Sequence, residues 1–127
     1  MKKTILLFTE NLDDNATLVR KVLSAHGYEV LWVNTFEKAL DMVAVYPPGL
    51  ILLDVIITDI DGRSPVAKFR NIPKLSEVPL IGMVDSSEVI SEIPKKDNGC
   101  DGYIHKPVDI QHLSEIISLF LDPTFNN

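Results

Sequence analysis

Short apolar runs alternate along the chain with stretches in which apolar residues recur at helical spacing. The runs are too short for helices, and they cover residues 5–8, 30–33, 50–53, 80–84 and a brief pair at 103–104. Runs of this length, rich in Ile, Leu and Val, are typical of strands. Because the central runs are apolar throughout instead of alternating, the pattern predicts a parallel sheet covered on both faces.

Between the runs, apolar residues spaced three and four apart predict amphipathic helices. The sets are Leu12, Val19, Val22 and Leu23; Phe36, Leu40, Val43 and Ala44; and Ile110, Leu113, Ile117, Phe120 and Leu121. Boundary signals agree with these helices and add one more: Gly27 ends the first, Thr35 and Asp109 cap the second and the last, and Ser64-Pro65 opens another. A fifth, weaker helix is predicted from Ser86 to Asp97, where Pro94 interrupts the pattern.

Five strands alternating with five helices predict a doubly wound α/β fold, a three-layer sandwich with a parallel sheet in the middle. The 127 residues suit one domain, spanning 1–127. In such sheets the functional crevice lies beyond the carboxyl ends of the strands. Asp54 ends the third run, Glu10 and Asn11 follow the first, and Lys106 follows the fifth, so these side chains are expected to meet at one rim.

Composition narrows the choice of partners. A net charge of −6 with no block of Lys or Arg argues against nucleic acid. The single cysteine, Cys100, forms no disulfide framework and suits a reducing compartment, where we expect it to be a small buried filler. The start "MKKTILLF" imitates a signal peptide, but its apolar run ends after Phe8 and no run has membrane-spanning length. We therefore predict a cytoplasmic location and no membrane partner. The histidines at 26, 105 and 112 show no metal-ligand spacing, and we expect them to be solvated.

Three motifs in this order resemble the receiver domain of bacterial two-component response regulators, the CheY-like family. They are "LILLDVIITDIDG" around Asp54, "VPLIGM" as the fourth strand and "GCDGYIHKPVD" around the fifth, and the resemblance covers nearly the whole chain. It implies a flavodoxin-like strand order 2-1-3-4-5 and a phosphorelay function in signal transduction. In such a domain a histidine kinase or histidine phosphotransfer protein donates the phosphoryl group, and a downstream protein target reads the result.

The resemblance also implies roles for particular residues. Asp54 would be the phosphoacceptor and Lys106 the phosphate-contacting lysine, followed by a cis bond to Pro107. Mg²⁺ would be held by an acidic pair after the first strand, by Asp54 and by the backbone carbonyl of Ile56. Tyr103 matches the family's switch aromatic.

The chemistry is reasonable on physical grounds. A carboxylate can attack phosphorus and form an aspartyl phosphate, but a negative nucleophile must approach a negative donor. A hard divalent cation with oxygen ligands and a lysine ammonium both reduce that repulsion. A carboxylate at a strand end with a lysine nearby is therefore a sensible phosphoacceptor.

The sequence departs from the family pattern near the predicted metal. Counting back from Asp54 without gaps places the acidic pair at Glu10-Asn11, and a shift of one residue places it at Thr9-Glu10. Either register lacks one acid, so we expect Mg²⁺ to bind weakly. Asp13 and Asp14 stand where a helix N-terminus favours acids, and we assign them to capping.

Two further departures concern the loop and the switch. Thr58 replaces the family's proline four residues after the acceptor. Val84 occupies the switch position where the family has a Thr or Ser hydroxyl, so the donor to a phosphoryl oxygen is lost.

The leading hypothesis is a regulatory domain, an enzyme at most toward its own phosphoryl group. The alternatives are a degenerate receiver that binds proteins without phosphorylation and a haloacid-dehalogenase-like phosphohydrolase, which would need an acid where Ile56 stands. The partner kinase, the output, a homodimer and the presence of further domains stay open at this point.

Overall fold

The structure is a computed structural model that describes residues 3–54, 65–85 and 100–121. Its strands are β1 (Thr4–Phe8), β2 (Glu29–Val33), β3 (Leu50–Asp54), β4 (Leu80–Asp85) and β5 (Gly102–Lys106). The helices of the described part are α1 (Asp14–Ala25), α2 (Phe36–Val45), α3 (Pro65–Arg70) and α4 (Ile110–Leu121), with a 3-10 turn at Pro73–Leu75. The predicted helix from Ser86 to Asp97 lies outside the described residues.

The strands form one parallel sheet in the order β2-β1-β3-β4-β5, which confirms the predicted order. The order in which strands are added reverses between β1 and β3, so the switch point of the doubly wound fold lies between these two central, parallel strands. Phe8 pairs with Leu53, and Asp54 pairs with Met83 on the other side. The carboxyl end of β3 therefore lies in the middle of the rim.

The sheet separates two apolar cores, because alternate residues of each strand face opposite sides. One core joins Leu50, Leu52 and their neighbours to α1 and α4, and the other joins Ile51, Leu53 and their neighbours to α2 and α3. All five residues of β3 are buried. This burial on both faces explains why the central runs show no polar alternation.

The ends of α1, α2 and α4 follow the predicted boundary signals, whereas Ser64, predicted to cap another helix, lies outside the described residues. The side chain of Asp13 accepts the Ala16 N–H at 2.9 Å, so this acid caps α1 as expected. Gly27 follows α1 with φ of 91°, a left-handed conformation that glycine adopts without steric cost. Thr35 caps α2 through a bond from the Lys38 N–H, and Asp109 accepts N–H bonds at the start of α4.

A network of hydrogen bonds around Arg70 lies at the amino ends of β4 and β5, on the opposite end of the strands from the carboxyl rim. Arg70 at the end of α3 donates to the carbonyls of Ser76 and Val78 and pairs with Asp101 at 2.8 Å. The same Asp101 oxygen accepts the Leu80 N–H. This network holds the strands that deliver Lys106 to the rim. Across the described ranges, no helix combines the length and apolar character needed to cross a bilayer.

Candidate functional site

Asp54 and Lys106 form the charged centre of the rim. The Lys106 Nζ lies 3.2 Å from both carboxylate oxygens of Asp54, and the two side chains are only 11% and 12% exposed. Lys106 stands at the end of β5, so its long side chain reaches across β4 to the end of β3. The structure thus brings together two residues that are 52 positions apart in the sequence. The carboxylate lies at a strand end beside a fixed cation, which suits attack on an anionic group.

Thr9 continues β1 beside this pair. Since Phe8 pairs with Leu53, the same register sets Thr9 alongside Asp54. Thr9 is 3% exposed, whereas Glu10 and Asn11 are exposed. Of the two registers left open by the sequence, the strand pairing therefore favours Thr9-Glu10 as the matching pair, with a buried hydroxyl at its first position.

The donor set near Asp54 fits a divalent cation only minimally. Asp54 and Glu10 supply carboxylates, but within the described residues no three acidic, histidine or cysteine side chains are grouped to share an ion. Mg²⁺ is commonly held through one or two carboxylates, substrate phosphate oxygens and retained waters. Asp54 at the end of β3 and Glu10 after β1 provide that minimum number of carboxylates at this rim, and the carbonyl of Ile56 lies outside the described residues.

The switch positions occupy the other face of the sheet. Alternation along β4 puts Val84 with Leu80, whereas Asp54 shares the face of Leu50 and Leu52. Val84 is 1% exposed, so the position expected to offer a hydroxyl is a buried methyl surface. The Thr58 position lies outside the described residues.

Tyr103 carries a buried hydroxyl that has no hydrogen-bond partner of normal geometry in the described part of the chain. Burial, and then the adjacent Cys100 thiol, raise the pKa of Tyr103. Burial likewise raises the pKa of Cys100 to about 11, although its interaction with Tyr103 and the Arg70 charge oppose this. Cys100 is partly buried and packs against the core that contains Ile51 and Leu53, so the prediction of a small buried filler is confirmed in part. It lies two residues before β5, an edge strand that has a neighbouring strand on one side only.

A backbone contact joins α1 to the loop behind Lys106. Lys106-Pro107 is a cis peptide bond, as the resemblance implied. Immediately after it, the Val108 N–H donates to the Asn15 side-chain oxygen at 3.2 Å.

The three histidines, at positions 26, 105 and 112, are exposed, as expected.

Sequence reasoning missed Trp32, whose indole Nε1 donates to the Thr9 hydroxyl at 2.9 Å. Trp32 is the single tryptophan of the chain and stands one residue before the end of β2. A polar aromatic residue at that end of the strand next to β1 was the available signal.

Comparison with known proteins places these observations in a family. The family model of the response regulator receiver domain matches residues 6–118. The polar-differentiation response regulator DivK of Brucella ovis is 26% identical over 121 residues, covering 95% of this chain and 98% of that protein.

Solved structures agree on the fold. A putative response regulator from Chloroflexus aurantiacus superposes with a TM-score of 0.80 at 22% identity, covering 95% of this chain and 98% of that one. The chemotaxis response regulator CheY4 of Vibrio cholerae gives a TM-score of 0.77 at 18% identity, with coverage of 95% and 100%. Both share the sheet and helix arrangement described above.

Proposed function

Since the chain belongs to the response regulator receiver domain family, a family of regulatory signal-transduction domains, we propose that it is a phosphorelay receiver that accepts a phosphoryl group on Asp54. The donor is a phosphohistidine of a histidine kinase or a histidine phosphotransfer protein. A downstream protein then binds the phosphorylated form. The domain spans residues 1–127, and we propose that it works in the cytoplasm.

The transfer exchanges one bond to phosphorus for another. A carboxylate oxygen of Asp54 attacks phosphorus while the bond to the histidine nitrogen breaks, and that nitrogen keeps the electron pair and takes up a proton. The product is an aspartyl phosphate. Water later attacks the same phosphorus, which restores the carboxylate and releases phosphate. These two steps on its own phosphoryl group are the only chemistry proposed for the domain.

Lys106 stabilises the charge that gathers during this transfer. Its ammonium already contacts both oxygens of Asp54, so it is in place before a donor arrives. A fixed cation in a partly desolvated site stabilises a developing charge more than one in water does. When bound, Mg²⁺ supplies additional positive charge to the phosphoryl oxygens. Glu10, Asp54 and the Ile56 carbonyl would hold it, weakly because Thr9 stands in place of one acid of the pair.

The observation that carries the proposal is the ion pair between Asp54 and Lys106 at the carboxyl rim of the sheet. A strand-ending acid that only capped a turn would not need a partly buried lysine from a strand two places away. A degenerate receiver could lose this pair without harm to its fold, and its retention favours a working acceptor. The sheet order and the family match speak against a haloacid-dehalogenase-like enzyme.

Acetyl phosphate tests the proposal without knowledge of the natural donor. We expect intact-protein mass spectrometry to show one added phosphoryl group on the wild type in Mg²⁺, and none on Asp54→Asn. Asp41→Asn, on the exposed side of α2, is the matched control and should be labelled like the wild type. Beryllofluoride, which imitates the phosphoryl group, should bind the wild type and the control only. An unlabelled wild type that also ignores beryllofluoride, or equal labelling of Asp54→Asn, would overturn the proposal.

A further inference from the structure

The hydroxyl of Thr9 makes two hydrogen bonds within the part of the rim where Mg²⁺ is predicted to bind. This part, Thr9 with Glu10 and Asn11, is called the metal side. Its Oγ1 accepts the Trp32 Nε1–H at 2.9 Å and donates to the backbone carbonyl of Asn11 at 2.8 Å. The Thr9 N–H also donates to the Val33 carbonyl at 3.2 Å, so both main chain and side chain are tied to β2. Thr9 is 3% exposed, which means that lost bonds could not easily be replaced by water.

The chemistry of the groups fixes the direction of this chain of bonds. An indole nitrogen can only donate, whereas a hydroxyl has a single hydrogen and two acceptor positions. With the acceptor side of the Thr9 oxygen engaged by Trp32, its hydrogen is directed to the Asn11 carbonyl. An ionised carboxylate at this position could accept the indole N–H but could not donate to Asn11. The pairing of Trp32 with Thr9 therefore matches a hydroxyl.

Glu10 lies between the two ends of the second bond. Because the side chain of residue 9 is bonded to the carbonyl of residue 11, the peptide units on both sides of Glu10 are held in one turn. Its own side chain is exposed and has the long, flexible stem of a glutamate. An exposed acid loses rotational entropy when it binds an ion, and a backbone that is already ordered lowers the total cost.

We propose that Trp32 is a positioning residue for the metal side of the site: through Thr9 and the Asn11 carbonyl it orders the backbone that carries Glu10. The inference rests on the proposed function, since it assumes that Glu10 binds the divalent cation. Pre-ordering compensates in part for the missing second acid. Trp32 does not contact the cation, so its effect appears as a change in affinity and not as a change in ligands.

Three variants isolate the chain of bonds. Trp32→Phe keeps an aromatic ring but removes the N–H, and Thr9→Val keeps the shape of the side chain but removes the hydroxyl. Thr9→Ser restores the hydroxyl in the same place and should restore the behaviour of the wild type. Thr4→Val makes the same exchange at the opposite end of β1 from Thr9, and it serves as the matched control.

The affinity for Mn²⁺, measured by water-proton relaxation without any phosphoryl donor, is the first readout. We expect Trp32→Phe and Thr9→Val each to weaken binding about 3- to 10-fold, the range of one hydrogen bond. The double variant should bind Mn²⁺ no more weakly than the weaker-binding single variant, because both substitutions break the same chain of hydrogen bonds. Thr9→Ser and Thr4→Val should stay within about twofold of the wild type.

The indole N–H gives a second readout, since one tryptophan yields a single indole cross-peak in a nitrogen–proton NMR spectrum. This peak should shift when Mg²⁺ is added to the wild type and should barely respond in Thr9→Val. Mn²⁺ affinities equal to the wild type in both single variants would overturn the inference while leaving the proposed function intact. A wild type that binds neither ion would overturn the inference and count against the metal part of the proposed function, which the Asp54 labelling experiment tests separately.

Discussion

The rim of the sheet has two sides that differ in how they handle charge. The acceptor side, Asp54 with Lys106, is an ion pair of opposite charges with little exposure. The metal side, Thr9 with Glu10 and Asn11, has one exposed acid and a chain of hydrogen bonds between neutral groups. The residues proposed as nucleophile and cation are thus both present, while one of the two acids expected to attract a divalent ion is absent.

This difference indicates which step of the proposed reaction is altered. The acceptor side determines whether an aspartyl phosphate can form at all, because it contains the nucleophile. The metal side determines how tightly Mg²⁺ is held during phosphoryl transfer, so substitutions there alter the Mg²⁺ concentration that the reaction requires. We therefore expect large effects from changes at the acceptor side and moderate, metal-dependent effects from changes at the metal side.

The largest effect is expected from Lys106→Met, which keeps the length of the side chain but removes its charge. Loss of one preorganised electrostatic group from a reaction centre typically costs about 10²- to 10³-fold in rate. The rate of labelling by acetyl phosphate at saturating Mg²⁺ measures this. A fall smaller than that caused by Glu10→Gln would reverse the comparison of the two sides.

A second test concerns Val84, which faces the second core and offers no hydroxyl. A hydrogen bond to a charged group contributes about 1.5–3 kcal/mol, similar to a typical allosteric coupling of about 1–3 kcal/mol. We expect beryllofluoride to cause small chemical-shift changes at Tyr103 in the wild type and larger ones in Val84→Thr. Equally large shifts in both proteins would show that another group already supplies the missing donor.

Adding an acid to the metal side should strengthen it by about tenfold in Mg²⁺ affinity, equivalent to about 1.4 kcal/mol. Thr9→Asp gives up a hydrogen bond of about 0.5–1.5 kcal/mol, but a unit charge pair at 4 Å contributes about 4 kcal/mol before desolvation. Because the strand register sets residue 9 beside Asp54, the gain should exceed that of Asn11→Asp. Titration calorimetry would decide, and no gain in either variant would disprove the assigned metal side.

The smallest effect belongs to Cys100, which lies on neither side and serves as a common control. Burial raises its pKa from 9.0 to about 11, so the folded protein holds the thiol proton more tightly than the unfolded chain. Stability from this group is complete below pH 9 and is lost as pH rises toward 11. Alkylation at pH 8 should be slow in the wild type and in every rim variant. Fast alkylation in one of them would mean that its substitution had opened the fold.

The sequence predicted the sheet and most helix ends because their causes are local. Short apolar runs show no helical period, and Asp13, Thr35 and Asp109 cap helices through bonds to residues only two or three positions away. The ion pair between Arg70 and Asp101 was not predicted, since it depends on the path of the 3-10 turn between them.

Prediction of the site divided in the same way. Asp54 and Lys106 could be expected to meet because parallel strands end at one rim. The bond from Trp32 to Thr9 depends on how far β1 and β2 are offset, and apolar runs do not specify that register. For the same reason, the choice between Thr9 and Asn11 had to wait for the pairing of Phe8 with Leu53.

Chemical trapping of the phosphorylated residue tests the central claim most directly. Borohydride reduces an aspartyl phosphate to homoserine, and peptide mass spectrometry then identifies the position that was modified. After treatment of the wild type with acetyl phosphate and Mg²⁺, we predict homoserine at position 54 and at no other carboxylate. Homoserine at a different aspartate, or none at all, would contradict the assignment of Asp54 as the phosphoacceptor.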